Sequence, residues 1–312
     1  MSKIDKSQFE WVGANAAEAE KITRPSTSYW RDAMKRLRKN KPAMVCLFII
    51  VAIILLSVFV PIFSPYTISE QHLTHTDAPM MFKDPVDGHM HLFGTDTLGR
   101  DIFTRIWSGG RVSLYISFAA VFFNFIIGVI YGGISGYVGG AVDNILMRFI
   151  EIINGIPYLI IVVLLMLVLP AGPMTMVIAY ALVGWTGMAR LVRGQIMSLK
   201  QQDYVIAAKV MGARPARIIG KHLLPNTLSI VIVDLTLAIP SAIFTEAFLS
   251  YIGLGVPVPM ASWGILANDG SRVFQMYPSQ LIIPAICISL TMLSFNLLGD
   301  GLRDALDPKL RR

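Results

Sequence analysis

The sequence predicts an all-α polytopic membrane protein with six transmembrane helices and both termini on the cytoplasmic side. Three observations carry that expectation. Of 312 residues, 54% are hydrophobic and only 15% are charged, too apolar and too charge-poor for an ordinary soluble chain. The charge is segregated: residues 42–69, 112–142, 152–189 and 273–299 contain no Asp, Glu, Lys or Arg. Apolar runs of that length read as membrane spans. Finally, 22 of the 27 Lys and Arg fall on segments that six spans would place on one side, and an excess of basic residues marks the cytoplasmic face.

Each span follows from where charge, proline and glycine cut these runs. The first covers about 43–63. Residues 1–42 before it are too long and polar for a signal peptide, and no small-residue cleavage site follows the first apolar run, so the first span is retained. Within residues 28–41, Tyr29, Trp30, Ala33, Met34 and Leu37 recur at helical spacing among basic residues, which predicts an interfacial helix along the inner leaflet. The second span is about 112–136, with Gly128, Gly132, Gly133 and Gly136 forming a small-residue face suited to helix packing. The run at 152–189 is too long for one helix, and Pro170-Ala171-Gly172-Pro173 divides it, giving spans at about 144–169 and 174–193. A fifth, at about 228–250, is apolar except for a polar load that includes Asp234 and Glu246; the sixth covers about 281–300. Trp107, Tyr137, Trp185 and Trp263 read as interfacial anchors.

Composition excludes several classes. Cys46 and Cys287 lie far apart inside apolar runs, so they read as fillers rather than a disulfide or metal knuckle. A net charge of +7 with this hydropathy points to a membrane surface and not to nucleic acid. No Gly-x-x-x-x-Gly-Lys-Ser/Thr loop occurs, so the chain does not cradle ATP by that route, and no catalytic residues are expected.

The segment between the fourth and fifth spans is the most informative. Asp203 is placed as an N-cap, Gly212 as a stop, and Pro215 as the opening of a second short helix running to Leu224-Pro225. On the first helix Tyr204, Ala207, Ala208 and Met211 recur at three- and four-residue spacing, a small apolar face of low relief that suits insertion into a groove on another protein. A cover over the ends of the spans is the structural alternative.

Ala207-Ala208, Gly212 and Leu224-Pro225 at these spacings resemble the loop signature of membrane subunits of ATP-binding-cassette importers, whose loop docks into a separate ATPase subunit. The wider signature has glutamate at Ile206 and isoleucine at His222. The resemblance widens through residues 91–101, 136–143, 189–195, 246–257 and 295–308, which together look like the peptide and nickel importer permeases, and most like the C-type permease of Gram-positive oligopeptide importers. It implies a type I importer permease fold in a bacterial plasma membrane, with a leader at 1–42, an external segment at 64–111, a core at 112–304 holding a coupling loop at 196–227, and a tail at 305–312. Asp203, Tyr204, Ala207, Ala208, Met211, Gly212, Ala213, Arg214, Leu224 and Pro225 would form the ATPase contact. The implied partners are a second permease, two ATP-binding subunits that use ATP and magnesium, an extracellular substrate-binding lipoprotein, and an oligopeptide substrate. This chain itself would carry no cofactor.

Polar groups at membrane depth usually face a bundle interior or a wet cavity. Glu151, Asn154, Pro157, Asp234, Thr245, Glu246 and Asn296 are therefore the pathway candidates, together with Thr236 and Ser294. Arg148 and Glu151, three apart, can neutralise each other. Glu246 would meet a peptide amino terminus or cap the turn at Gly253-Leu254-Gly255. Pro157 and Pro240 each free a backbone carbonyl and permit a kink. His72, His75, His89 and His91 lie among Asp77, Asp84 and Asp87 in the first external segment, but their spacing fits no defined ligand frame and they read as solvent-facing, so no metal site is expected. A nickel or dipeptide importer permease, and an ion-gradient-driven secondary transporter using Asp234 and Glu246, are the alternative functions; the second lacks an evident inverted repeat.

Overall fold

The structure, a computed structural model, describes residues 29–85 and 88–307. The expectations for the rest of the leader, for Asp87 and for the tail beyond residue 307 lie outside these. The helices run α1 (Tyr29–Lys39), α2 (Lys41–Phe63), α3 (Ile102–Val138), α4 (Gly140–Asn154), α5 (Tyr158–Val168), α6 (Pro173–Leu199), α7 (Asp203–Val210), α8 (Pro215–Tyr251), α9 (Trp263–Arg272) and α10 (Ser279–Leu306). Among the described residues, α2, α3, α6, α8 and α10 are long and apolar enough to cross a membrane. The expected third span is instead α4 and α5, bent by 77° across Gly155-Ile156-Pro157; the pair makes a sixth span if counted as one. Pro157 has no N–H to continue the ladder, so the chain turns there.

Boundaries move where caps, rather than apolarity, set the helix ends. Helix α3 begins at Ile102, ten residues before the uncharged run, because the Asp101 carboxylate accepts the Thr104 N–H at 2.7 Å. Arg105, inside this extension, is 2% exposed and donates to the Ile68 carbonyl at 3.3 Å. Helix α8 begins at Pro215 and continues through Leu224-Pro225, which the sequence reading took as a helix end. A π-turn at Ile218–Leu223 makes this possible: Leu224 N–H reaches back five residues to the Ile219 carbonyl.

The expected glycine face is the packing surface of α3 against α6. A Cβ on Gly132 would stand 2.2 Å from the Ala189 carbonyl oxygen, and one on Gly136 would stand 2.7 Å from that of Arg193. The two backbones therefore touch, as small residues allow between membrane helices. Around α10, buried side chains of α2, α3, α8 and α9 form one core that includes Ile50, Leu114, Ile243, Trp263 and Phe295. Trp263 and Trp185 belong to the interior at 0% and 6% exposure, not to an interfacial belt. Trp263 fits because Gly110 leaves room for its ring, and its indole N–H donates to the Ile106 carbonyl at 2.9 Å.

The amphipathic helix α1 forms, but part of its apolar face meets protein rather than lipid. Ala33 packs with Val233 and Leu306, and the Tyr29 hydroxyl donates to the Leu306 carbonyl at 2.7 Å. Trp30 and Met34 stay exposed. Residues 64–101, between α2 and α3, carry a 3₁₀ turn at Leu73–His75 and a hairpin pairing β1 (Phe82–Lys83) with β2 (Met90–His91).

Candidate functional site

Helix α7 is held at both ends by backbone geometry. Its N-cap is Gln202, so Asp203 is the first helical residue and not the cap; there its charge faces the positive end of the helix dipole. At the other end Gly212 takes φ +78°, while Gly212 N–H donates to the Lys209 carbonyl at 2.9 Å and Ala213 N–H to that of Ala208 at 3.1 Å. That pair of bonds is a Schellman stop, which needs the left-handed conformation glycine adopts freely. Arg214 then caps Pro215, the first residue of α8.

The face of α7 divides differently from the sequence expectation. Ala208 and Val205 are buried, at 4% and 0% exposure, and Val205 packs with Ile218, Leu223, Met188, Val192, Ile196 and Val231 from α6 and α8. Tyr204, Ile206, Ala207, Val210 and Met211 face outward, Val210 and Met211 at 84% and 80% exposure. Ala208 thus sets the distance of α7 from the spans, and Ile206 and Val210 join the outer face. An eight-residue helix presents two surfaces, and spacing alone did not say which one the rest of the chain would cover. Lys209 places its ammonium 5.5 Å from the centre of the Tyr137 ring, and Lys200 donates to the Gly136 carbonyl at 2.9 Å, closing the end of α3. Leu224 is half-buried and Pro225 exposed.

The polar candidates at membrane depth fall into separate surroundings. Arg148 donates to Glu151 at 2.8 Å on the surface, and both line a cavity of about 660 Å³ with Asn144, Met147, Arg190 and Arg193. Asn154 ends α4 and accepts the Thr186 hydroxyl at 3.1 Å, with Pro157 at the bend beyond it. Asp234, half-buried, lines a second cavity of about 460 Å³ beside Asn226, Ser229 and Arg303. Glu246 is 2% exposed and enclosed by the hydroxyls of Ser113, Ser250 and Ser262, that of Ser250 at 2.7 Å. It does not cap the following turn, which the backbone closes through Leu254 N–H to the Leu249 carbonyl at 2.8 Å. Thr245 turns back to donate to the Ser241 carbonyl, and Asn296 lies exposed on α10. These residues do not converge on one point within this chain.

Sequence reasoning missed the grip of Arg193 on Asp143, both within its own motif segments, because nothing local pairs residues fifty positions apart. It also placed the external histidines in solvent. His91 is fully buried, and Asp84 is 0% exposed beside it.

Residues 124–312, which include α7, its anchoring helices and every polar candidate, match the family described as binding-protein-dependent transport system inner membrane component. The chain belongs to this family. Residues 28–85 also match the N-terminal transmembrane domain of oligopeptide transport permease C. Among curated relatives, the oligopeptide transport system permease protein OppC of Bacillus subtilis is 52% identical over 312 residues, all of both chains. The dipeptide transport system permease protein DppC of the same organism is 49% identical over 97% of this chain and 94% of that one. OppC of Haemophilus influenzae is 42% identical over 99% and 97%. A chain of the MetNI methionine ABC transporter in inward-facing conformations aligns with a TM-score of 0.48 and 17% identity over 62% of this chain and 94% of that one; so distant a likeness adds nothing to the assignment.

As an importer permease of this family, the chain is a multi-pass, non-catalytic membrane component, and ATP hydrolysis occurs in partner subunits. The division of α7 into an anchored and an exposed side is thus a property of a membrane subunit whose family works with separate ATPases.

Proposed function

We propose that this chain is one of two permease subunits of an ATP-driven oligopeptide importer, in a plasma membrane with both termini cytoplasmic. The distribution of Lys and Arg supports the orientation, and relatives at 52% and 49% identity from Bacillus subtilis support a Gram-positive source. The single observation that carries the mechanism is the two-sided α7. Its outer residues Tyr204, Ala207, Val210 and Met211 offer an apolar knob for a groove on an ATP-binding subunit, while Val205 and Ala208 fasten the same helix to α6 and α8. ATP binding in the partners would draw α7 inward, and α6 and α8 would move with it because their shared core is close-packed. Glu151, Asn154, Asp234, Thr245 and Asn296 would face the path shared with the second permease, where a lipoprotein delivers peptide from outside. ATP and magnesium serve the partner subunits alone.

Cysteine at Met211, crosslinked in the assembled transporter, is expected to capture an ATP-binding subunit and to change yield when nucleotide is added. Capture of no such subunit would overturn the reading. A dipeptide importer is the second reading, favoured by the relative at 49% identity. Competition between labelled dipeptides and longer peptides for uptake decides between them: the oligopeptide assignment expects the longer ones to win.

A further inference from the structure

The segment between α2 and α3 gathers three histidines around one carboxylate. His72 and His75 stand three residues apart across a 3₁₀ turn, a spacing that places both rings on one side. Asp84 follows β1, and His91 ends β2, so the hairpin brings them together. His72 Nδ1 lies 3.5 Å from Asp84 Oδ2, His75 Nε2 lies 3.8 Å from Oδ1, and His91 Nε2 lies 3.8 Å from Oδ2. These separations are too long for hydrogen bonds. The Nε2 atoms of His75 and His91 are buried with no hydrogen-bond partner, and orphaned buried nitrogens of this kind call for a partner.

We propose that His72, His75, Asp84 and His91 bind one divalent cation of the zinc type, which staples this segment to the start of α3. Four ligands around tetrahedral zinc, with bonds of about 2.0–2.1 Å, stand about 3.3 Å from one another. In the arrangement observed, no group of three or more His, Cys, Asp or Glu side chains among the described residues is placed to hold a metal ion, so binding requires this set to move. The three imidazoles approach Asp84 at 3.5–3.8 Å, and closing the set means drawing them with that carboxylate toward one common centre. Imidazole and carboxylate donors suit this ion, and four protein ligands make a closed, structural site.

The groups behind the donors fit the same reading. Metal-bound histidines usually give their second ring nitrogen to a carboxylate. His91 Nδ1 stands 2.8 Å from Asp101 Oδ1, and His72 Nε2 stands 3.4 Å from Glu70 Oε1. Tyr66 stacks on the His91 ring at 4.2 Å, and Phe82 lies against His75, giving an apolar shell. His72 and His75 keep 17% and 18% of their side chains exposed, which leaves an entry path. Asp101 also caps α3, so a bound cation would tie the whole cluster to a membrane-spanning helix.

The test uses the assembled transporter in detergent, stripped with a chelator, resupplied with zinc chloride, desalted and measured by plasma mass spectrometry. One zinc per copy of this chain is expected in the parent, with loss of that equivalent in His75→Ala and in Asp84→Asn. Thermal unfolding of the stripped parent is expected to shift upward on adding zinc, whereas the two variants do not respond. Cobalt in place of zinc is expected to give the visible spectrum of a four-coordinate ion. Zinc content and melting in the resupplied parent no different from the stripped control would overturn the proposal. This comparison needs only the parent, so it stands even if the variants fail to assemble.

Discussion

Arg193 on α6 closes its guanidinium fork on both carboxylate oxygens of Asp143 on α4, Nε to Oδ1 at 2.5 Å and Nη2 to Oδ2 at 2.5 Å. The Ser135 hydroxyl on α3 donates to the same carboxylate. One ionised side chain therefore fastens three helices that meet just past the α3–α4 turn at Gly139. A bidentate guanidinium–carboxylate pair is geometrically specific in a way that an ammonium cannot reproduce. Asp143 is 8% exposed at its side chain and Arg193 is 30% exposed, so solvent screens part of the attraction.

Arg193→Lys is expected to lower stability in detergent by about 1 kcal/mol and Arg193→Ala by about 2 kcal/mol, the larger loss leaving a buried carboxylate unpaired. Thermal unfolding of both, of Asp143→Asn and of the Arg193→Ala/Asp143→Asn double variant closes a double-mutant cycle that measures the coupling. An Arg193→Lys protein as stable as the parent would show that the fork geometry contributes nothing.

Gly212 separates conformational strain from steric conflict. A Cβ there would meet nothing within 4 Å, yet φ is +78°. Gly212→Ala is expected to cost about 1–2 kcal/mol locally, the ordinary penalty for a left-handed residue, and Gly212→Asn less. Membrane insertion should persist while peptide uptake falls in the order Gly, Asn, Ala. Equal uptake in all three would separate the α7 stop from transport.

The glycines of α3 give a matched pair. Gly132→Ala drives a methyl toward the Ala189 carbonyl at 2.2 Å, whereas Gly133→Ala meets only the tip of Ile196 at 3.8 Å. The first is expected to destabilise by about 2 kcal/mol or more, the second to be neutral or slightly stabilising through better helix propensity. Comparing their melting temperatures in one detergent checks the assignment of the α3–α6 contact.

Glu246 is buried at 2% exposure and accepts the Ser250 hydroxyl, the surroundings of a structural anchor. Glu246→Gln preserves volume and hydrogen-bonding capacity, so uptake is expected near the parent rate. Glu246→Ala leaves the Ser250 hydroxyl without its 2.7 Å acceptor beside a new void, an expected loss of about 2–3 kcal/mol. Uptake abolished by Glu246→Gln in a protein of unchanged stability would reassign this carboxylate to substrate.

Much of the protein was legible before folding because membrane solvation acts locally. A stretch without charge such as 42–69 has to cross or be buried, and Pro157, Gly212 and Pro215 mark breaks through their own backbone chemistry wherever they occur. Hence the membrane class, the approximate spans, the small-residue face of α3 and the helix-turn-helix between α6 and α8 could all be read directly. Helix limits were legible only in part: the π-turn absorbed Pro225, and the Asp101 cap extended α3 through two arginines that hydropathy counts against a span.

Folding alone decided which residues meet. Asp143 and Arg193, fifty residues apart, and Ser113 and Glu246 come from distant parts of the chain. Charge, hydropathy and spacing describe a residue's own neighbourhood along the backbone, and they carry no record of which other segment will fill the space beside it. Likewise, the choice of Ala208 to face inward and Met211 outward was made by α6 and α8, whose close-packed side chains cover one side of a short helix and leave the other exposed.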